Sequence, residues 1–107
     1  MRLHEQIDLR SLELARAVVA RIDADPERHG LERARKTCSR WLGSAPAPAL
    51  EEWSRILVRD WTVIRSVLLD EGAEGQRLRQ SSPFTGVLTP SERWEILRRF
   101  RDESSAA

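Results

Sequence analysis

Leu50, Trp53, Leu57, Trp61, Ile64 and Leu68 follow one another at steps of 3, 4, 4, 3 and 4. That spacing places all six on one side of an α-helix. Apolar residues fall at helical intervals elsewhere too, and nothing alternates like a strand for more than a few residues. A chain patterned this way points to an all-α fold. With 107 residues it has material for one modest core, so the expectation is a single helical domain, a small bundle of four to five helices.

The first helix is predicted from about Leu3 to Ala24. Leu3, Ile7, Leu14, Val18 and Ile22 share a face, while Leu9, Leu12 and Val19 lie outside it. An ordinary surface helix carries one apolar stripe. The extra stripe implies burial on two sides, against other helices of this chain or against a second chain. Asp25-Pro26-Glu27 is a helix-start signal, with Asp25 as cap and Pro26 in the first turn. The second helix then runs to about Leu42, weakened early by Gly30. Leu31, Ala34, Cys38, Trp41 and Leu42 form its apolar face, and Arg33, Lys36 and Arg40 form a basic ridge opposite.

Residues 43–48, GSAPAP, read as a short linker. The seam from Leu50 to Leu68 fits one helix, or two with Asp60 capping the second. Gly72 and Gly75 end it, and a short turn of helix carries Leu78. Thr89-Pro90-Ser91-Glu92 is a capping box, which opens a last helix from Pro90 to about Asp102. Residues 103–107 read as a frayed tail.

Charge and composition narrow the function classes. The formal net charge is +1 and stays near zero along the chain, which argues against a dedicated nucleic-acid binder. Apolar runs fall well short of the ~20 residues of a membrane helix. The acids in MRLHEQIDLRSLEL are unlike an export signal, so a cytoplasmic protein is expected. Cys38 is the single cysteine, so an internal disulfide is ruled out, and its helical spacing with Leu31 and Ala34 suggests a buried small hydrophobe. His4 and His29 are not at metal-ligand spacing, and none of the common catalytic motifs appears. No catalytic residue, metal or cofactor is expected.

One stretch fits none of these patterns. LRQSSPFTGVLTPSERW, residues 78–94, holds two prolines and a glycine, yet also Phe84, Val87 and Leu88. Pro83 pushes Ser82 toward extended backbone, and Gly86 offers a turn with positive φ. Burying each of the three apolar side chains is worth about 1.5–3 kcal/mol. Residues 81–89 are therefore either a lid over the chain's own helices or an arm that enters a partner's groove.

This block, together with LHEQIDLRSLELARAV and LERARKTCSRWL, resembles a group of short bacterial proteins that share a pattern close to LRQSSPF-G-L-P-ERW. The pattern is intact from Leu78 to Trp94, while RDWTVI in the middle of the chain departs from it. The resemblance implies an all-α antitoxin of a two-gene toxin–antitoxin operon, which neutralises a neighbouring toxin, a nucleotidyltransferase-like enzyme, by occupancy. On that reading Phe84, Val87, Leu88 and Trp94 are partner anchors, and Arg77, Arg79 and Arg93 pair with carboxylates around them, since aromatic and arginine side chains dominate such interfaces. Two alternatives stay open. The basic ridge of the second helix suits a DNA-binding regulator. The Leu12/Val19 stripe or the Leu50–Leu68 seam suits a homodimer.

Overall fold

The computed structural model describes residues 3–105, with side chains from residue 8 to residue 102. Its elements are α1 (Leu3–Asp23), α2 (His29–Ser44), α3 (Pro48–Ile56), α4 (Trp61–Leu68), α5 (Ala73–Arg79) and α6 (Pro90–Ser105). The described residues contain no strand. The all-α expectation holds, but with six helices rather than four to five. The excess comes from the apolar seam, which is divided, and from α5, which is a full short helix.

The division has a local cause. Leu57 N–H donates to Trp53 O at 2.8 Å and Arg59 N–H to Ile56 O at 3.0 Å, which closes α3. Asp60 then turns extended, with φ −64° and ψ 150°, and its carbonyl accepts from Val63 and Ile64 to open α4. Both halves still face one core: Leu50, Trp53, Leu57, Ile64 and Leu68 are all buried. Trp61 is half-buried, because its indole N–H reaches out to the Asp23 carboxylate at 2.8 Å.

α1 is the central helix and packs against α2, α4, α5 and α6. Leu12, Ala15, Val18, Val19 and Ile22 are buried in it, and Leu14 is half-buried. The two-sided burial expected of this helix is thus met within the chain. Leu12 and Val19 are not a free stripe, and the Leu50–Leu68 seam is spent on the same core, so neither offers the homodimer contact expected of it. Leu9 lies at the edge of exposure, and the side chains of Leu3 and Ile7 lie outside the described residues.

The second helix begins three residues later than Pro26 predicts. Asp25 does cap, but it caps a turn: its carboxylate accepts from Glu27 N–H at 3.0 Å and from His29 N–H at 2.8 Å. Arg28 takes left-handed backbone, φ 51° and ψ 48°, and its guanidinium donates back to Ile22 O at the end of α1. Gly30 has a packing role as well. A Cβ there would lie 2.8 Å from Ile22 Cγ1 and 3.1 Å from Val87 Cγ1, so the bare glycine lets α2 start hard against α1 and residues 81–89. Gly75 is tighter still, with its Cβ position 2.1 Å from the Asp70 carbonyl oxygen. Asp70 bonds the N–H groups of Gly72 and Gly75 through its side chain and so starts α5.

The Thr89 capping box forms as expected. Thr89 N–H donates to Glu92 Oε1 at 2.9 Å, and Glu92 N–H donates to Thr89 Oγ1 at 3.1 Å. Glu92 also pairs with Arg21, tying the start of α6 to α1. The helix continues to Ser105, past the point where a frayed tail was expected, and residues 106–107 lie outside the described residues. Thr89→Ala should cost about 1 kcal/mol in urea unfolding, and Thr89→Ser much less.

Candidate partner-binding surface

Residues 80–89 form consecutive turns between α5 and α6. Ser81 and Ser82 bond back to the carbonyls of Leu78 and Arg79, so the chain leaves α5 without an unpaired step. Phe84 N–H then takes the Ser82 hydroxyl, and Val87 N–H takes Phe84 O at 3.1 Å. That last turn does not need positive φ, and no described glycine adopts it, Gly86 included. A Cβ on Gly86 would touch only Arg33 Nε, at 3.4 Å.

The turns drive apolar side chains inward. Phe84 is 2 % exposed, and Val87 and Leu88 are buried with it in the core of α1–α5. Phe84 meets the Trp53 ring edge to face, with centroids 5.8 Å apart and planes at 66°. Trp53 is itself fully buried, and its indole N–H is satisfied by Leu78 O at 2.8 Å. Here the structure corrects the anchor expectation for Phe84, Val87 and Leu88. In this chain the three hold the fold, because a core this small gains more from covering itself than from leaving three large apolar groups wet.

The arginines divide in the same way. Arg79 has a side chain only 2 % exposed. Its guanidinium donates to Leu68 O and Asp70 O, which closes the end of α4, and to Asp8 Oδ1 at 2.9 Å on α1. Arg79 is therefore an internal staple, not a rim charge. Arg77 is at the surface but occupied, with Glu52 held in two bonds of 2.7 and 3.0 Å and Glu74 beside it. Arg93 is half-buried and makes one long bond, 3.5 Å, to Thr85 O. No carboxylate of the described residues lies within ion-pair distance of Arg93.

Trp94 stays outside. It is 59 % exposed on α6, with the Arg98 guanidinium carbon 5.0 Å from its ring centroid. Arg98 is held in turn by Glu95 through two bonds of 3.0 Å. Of the seven residues expected to meet a partner, the structure leaves Trp94, Arg93 and Arg77 at the surface and takes the other four inside. Arg98 was missed, although its position one helical turn after Trp94 is a readable signal. A cleft beside Arg79 and Arg93 was missed as well. It has a volume of about 150 Å³ and is floored by Leu14, Val18, Phe84 and Leu88. Its walls come from four separate parts of the chain, which no local pattern reveals.

Hydrogen bonding lowers several carboxyls. Asp23 is held below its ordinary value of 3.8 by the Trp61 and Arg65 side chains, Asp25 by the His29 and Glu27 amides, and Glu52 below 4.5 by Arg77. A depressed folded-state value means stability that is complete above the ordinary carboxyl range and drains away as pH falls through the folded values. Thermal stability should therefore be insensitive to these three groups near pH 7 and fall below about pH 4. Glu52→Gln should flatten part of that fall. Burial raises the Cys38 thiol, which is 2 % exposed and touches Leu50 O, so this cysteine lacks the thiolate a nucleophile needs.

The described residues contain no group of three His, Cys, Asp or Glu side chains placed to hold a metal, and no helix long and apolar enough to cross a membrane. No family model matches the chain, and no curated protein or solved structure is significantly similar to it.

Proposed function

We propose that this chain is a non-catalytic, protein-binding antitoxin of the cytoplasm, which neutralises a toxin encoded beside it by occupying the toxin's surface or active-site cleft. The observation that carries the reading is Trp94. The LRQSSPF-G-L-P-ERW pattern runs from Leu78 to Trp94, and its apolar interior is explained by folding alone. Trp94 is not: it spends a large aromatic surface on solvent, 59 % exposed, with a guanidinium already stacked on it. Exposed tryptophan with adjacent arginine is the composition of interface hot spots. On this reading Trp94, with Arg93 and Arg98, meets the toxin, and Phe84, Val87 and Leu88 set the position of α6 from beneath.

The test is co-expression. The neighbouring reading frame should arrest growth when expressed alone and be silenced by this chain. Trp94→Ala should lower affinity for the purified toxin by about 2 kcal/mol or more, roughly thirtyfold. The melting temperature of the variant should move little, since the ring is largely solvated. Equal affinity of wild type and variant would remove Trp94 from the interface. A neighbour without toxicity, or a toxin this chain does not rescue, would remove the antitoxin reading.

A second reading has its own observation. Arg33, Lys36 and Arg40 stand exposed along α2, and none of the three is in an ion pair with a described residue. Such a ridge suits duplex backbone, and binding of operon DNA that weakens steeply with salt would favour it. Arg33→Ala with Arg40→Ala should leave toxin affinity unchanged.

A further inference from the structure

We propose that the cleft between α1, α4 and residues 82–88 is a binding site for a small carboxylic acid with an apolar body of about benzene size. Three independent features point to this chemistry. The first is shape: the cleft holds about 150 Å³, and cavities of about that volume take a benzene-sized guest. Its floor is aliphatic and aromatic, made by Leu14, Val18, Leu68, Phe84 and Leu88.

The second feature is an unmet donor. Arg79 lines the cleft, its side chain is 98 % withdrawn from solvent, and its Nε has no hydrogen-bond partner. Buried N–H groups almost always find an acceptor. The third is an unmet charge. Arg93 lines the same cleft from α6, and its single bond is the long one to Thr85 O. Asp8 neutralises Arg79, so the two guanidiniums and one carboxylate leave one positive charge at the cleft. A ligand carboxylate at Arg93 supplies the counter-charge, and an apolar body covers the floor; Arg79 Nε, which exposes less than 1 Å², is reached only when its side chain shifts. Ser11 and Ser82 at the rim leave room for the second carboxylate oxygen to be solvated or bonded. The proposed toxin surface shares Arg93 with this site, so the titration is made on the chain alone.

Phenylacetate is the probe, titrated into the full chain with methyl resonances of Leu14, Val18 and Leu88 observed by NMR. Saturable shifts at millimolar concentration are expected. Phenylacetamide, the same body without charge, and acetate, the charge without a body, should each bind at least about tenfold more weakly. Arg93→Gln should weaken phenylacetate by a similar factor while circular dichroism stays native. Ser11→Leu, which fills the cleft from α1, should abolish the shifts and serves as the second variant if Arg93→Gln perturbs the fold. N-acetyl-phenylalanine tells the source: if it binds as phenylacetate does, the site accepts the end of a polypeptide, and if it does not, the site takes the free acid. Absence of saturable shifts overturns the proposal. So does equal binding of the acid and its amide, or of wild type and Arg93→Gln.

Discussion

Phe84→Ala should unfold this protein in large part at 37 °C. The phenyl ring is 2 % exposed and meets Trp53, which is wholly buried and anchored to Leu78 O. Truncating a buried phenylalanine costs about 3–5 kcal/mol, from lost transfer energy and from the cavity left behind. Collapse into that cavity is resisted on one side by Trp53, whose indole is pinned, and on the other by the turn from Phe84 O to Val87 N–H. Small domains have total stabilities near the lower end of about 5–15 kcal/mol. A loss of this size therefore takes most of what the chain has. Urea titration followed by circular dichroism would show the midpoint collapse, and Phe84→Leu should recover more than half of it by refilling volume. A Phe84→Ala variant with native midpoint and helicity would mean that residues 81–89 are an arm held loosely on the surface.

The contrast with Trp94 gives the measurement its functional meaning. Both rings lie in the same pattern, ten residues apart, and composition treats them alike. Phe84→Ala should lose stability and, with it, any toxin binding. Trp94→Ala should lose binding and keep stability.

The helices were legible because each writes its own period. The 3-4 spacing of the seam, the Thr89 box and the double stripe of α1 all survive into the structure. Even the break at Asp60 was readable as an option, although its side chain makes no cap bond and its extended backbone alone turns the chain. What was not legible lies in partners far apart in the chain. Nothing near Arg79 announces that it donates to carbonyls 11 and 9 residues earlier and to a carboxylate 71 residues earlier. The fate of Phe84, Val87 and Leu88 was equally hidden, because a lid and an arm need the same apolar side chains. Gly30 misled for a related reason. Read locally it weakens a helix, whereas in three dimensions it is the gap into which Ile22 and Val87 pack.

Arg79 supports the second large prediction. Arg79→Met keeps an unbranched stem of similar length in the core but removes every donor. Leu68 O and Asp70 O, the last acceptors of the α4 end, then lose their charged cap, and Asp8 loses its partner. Breaking one side of a buried, hydrogen-bonded ion pair costs about 3–5 kcal/mol. Asp8 is 21 % exposed and can recover some hydration, so about 3 kcal/mol is expected here. That corresponds to a melting point lower by very roughly 10–20 °C for a domain of this size. Arg79→Lys should be only partly protective, because a single ammonium cannot span two carbonyls at the end of α4 and a carboxylate on α1. Asp8→Asn should be mild alone. In the double variant Asp8→Asn with Arg79→Met, the losses should sum to less than the separate values, since the same bond is broken twice. Strict additivity would mean that the α1 contact carries no weight, and that Arg79 serves only to close α4. A melting point unchanged by Arg79→Met would place the guanidinium in solvent and dissolve the staple altogether.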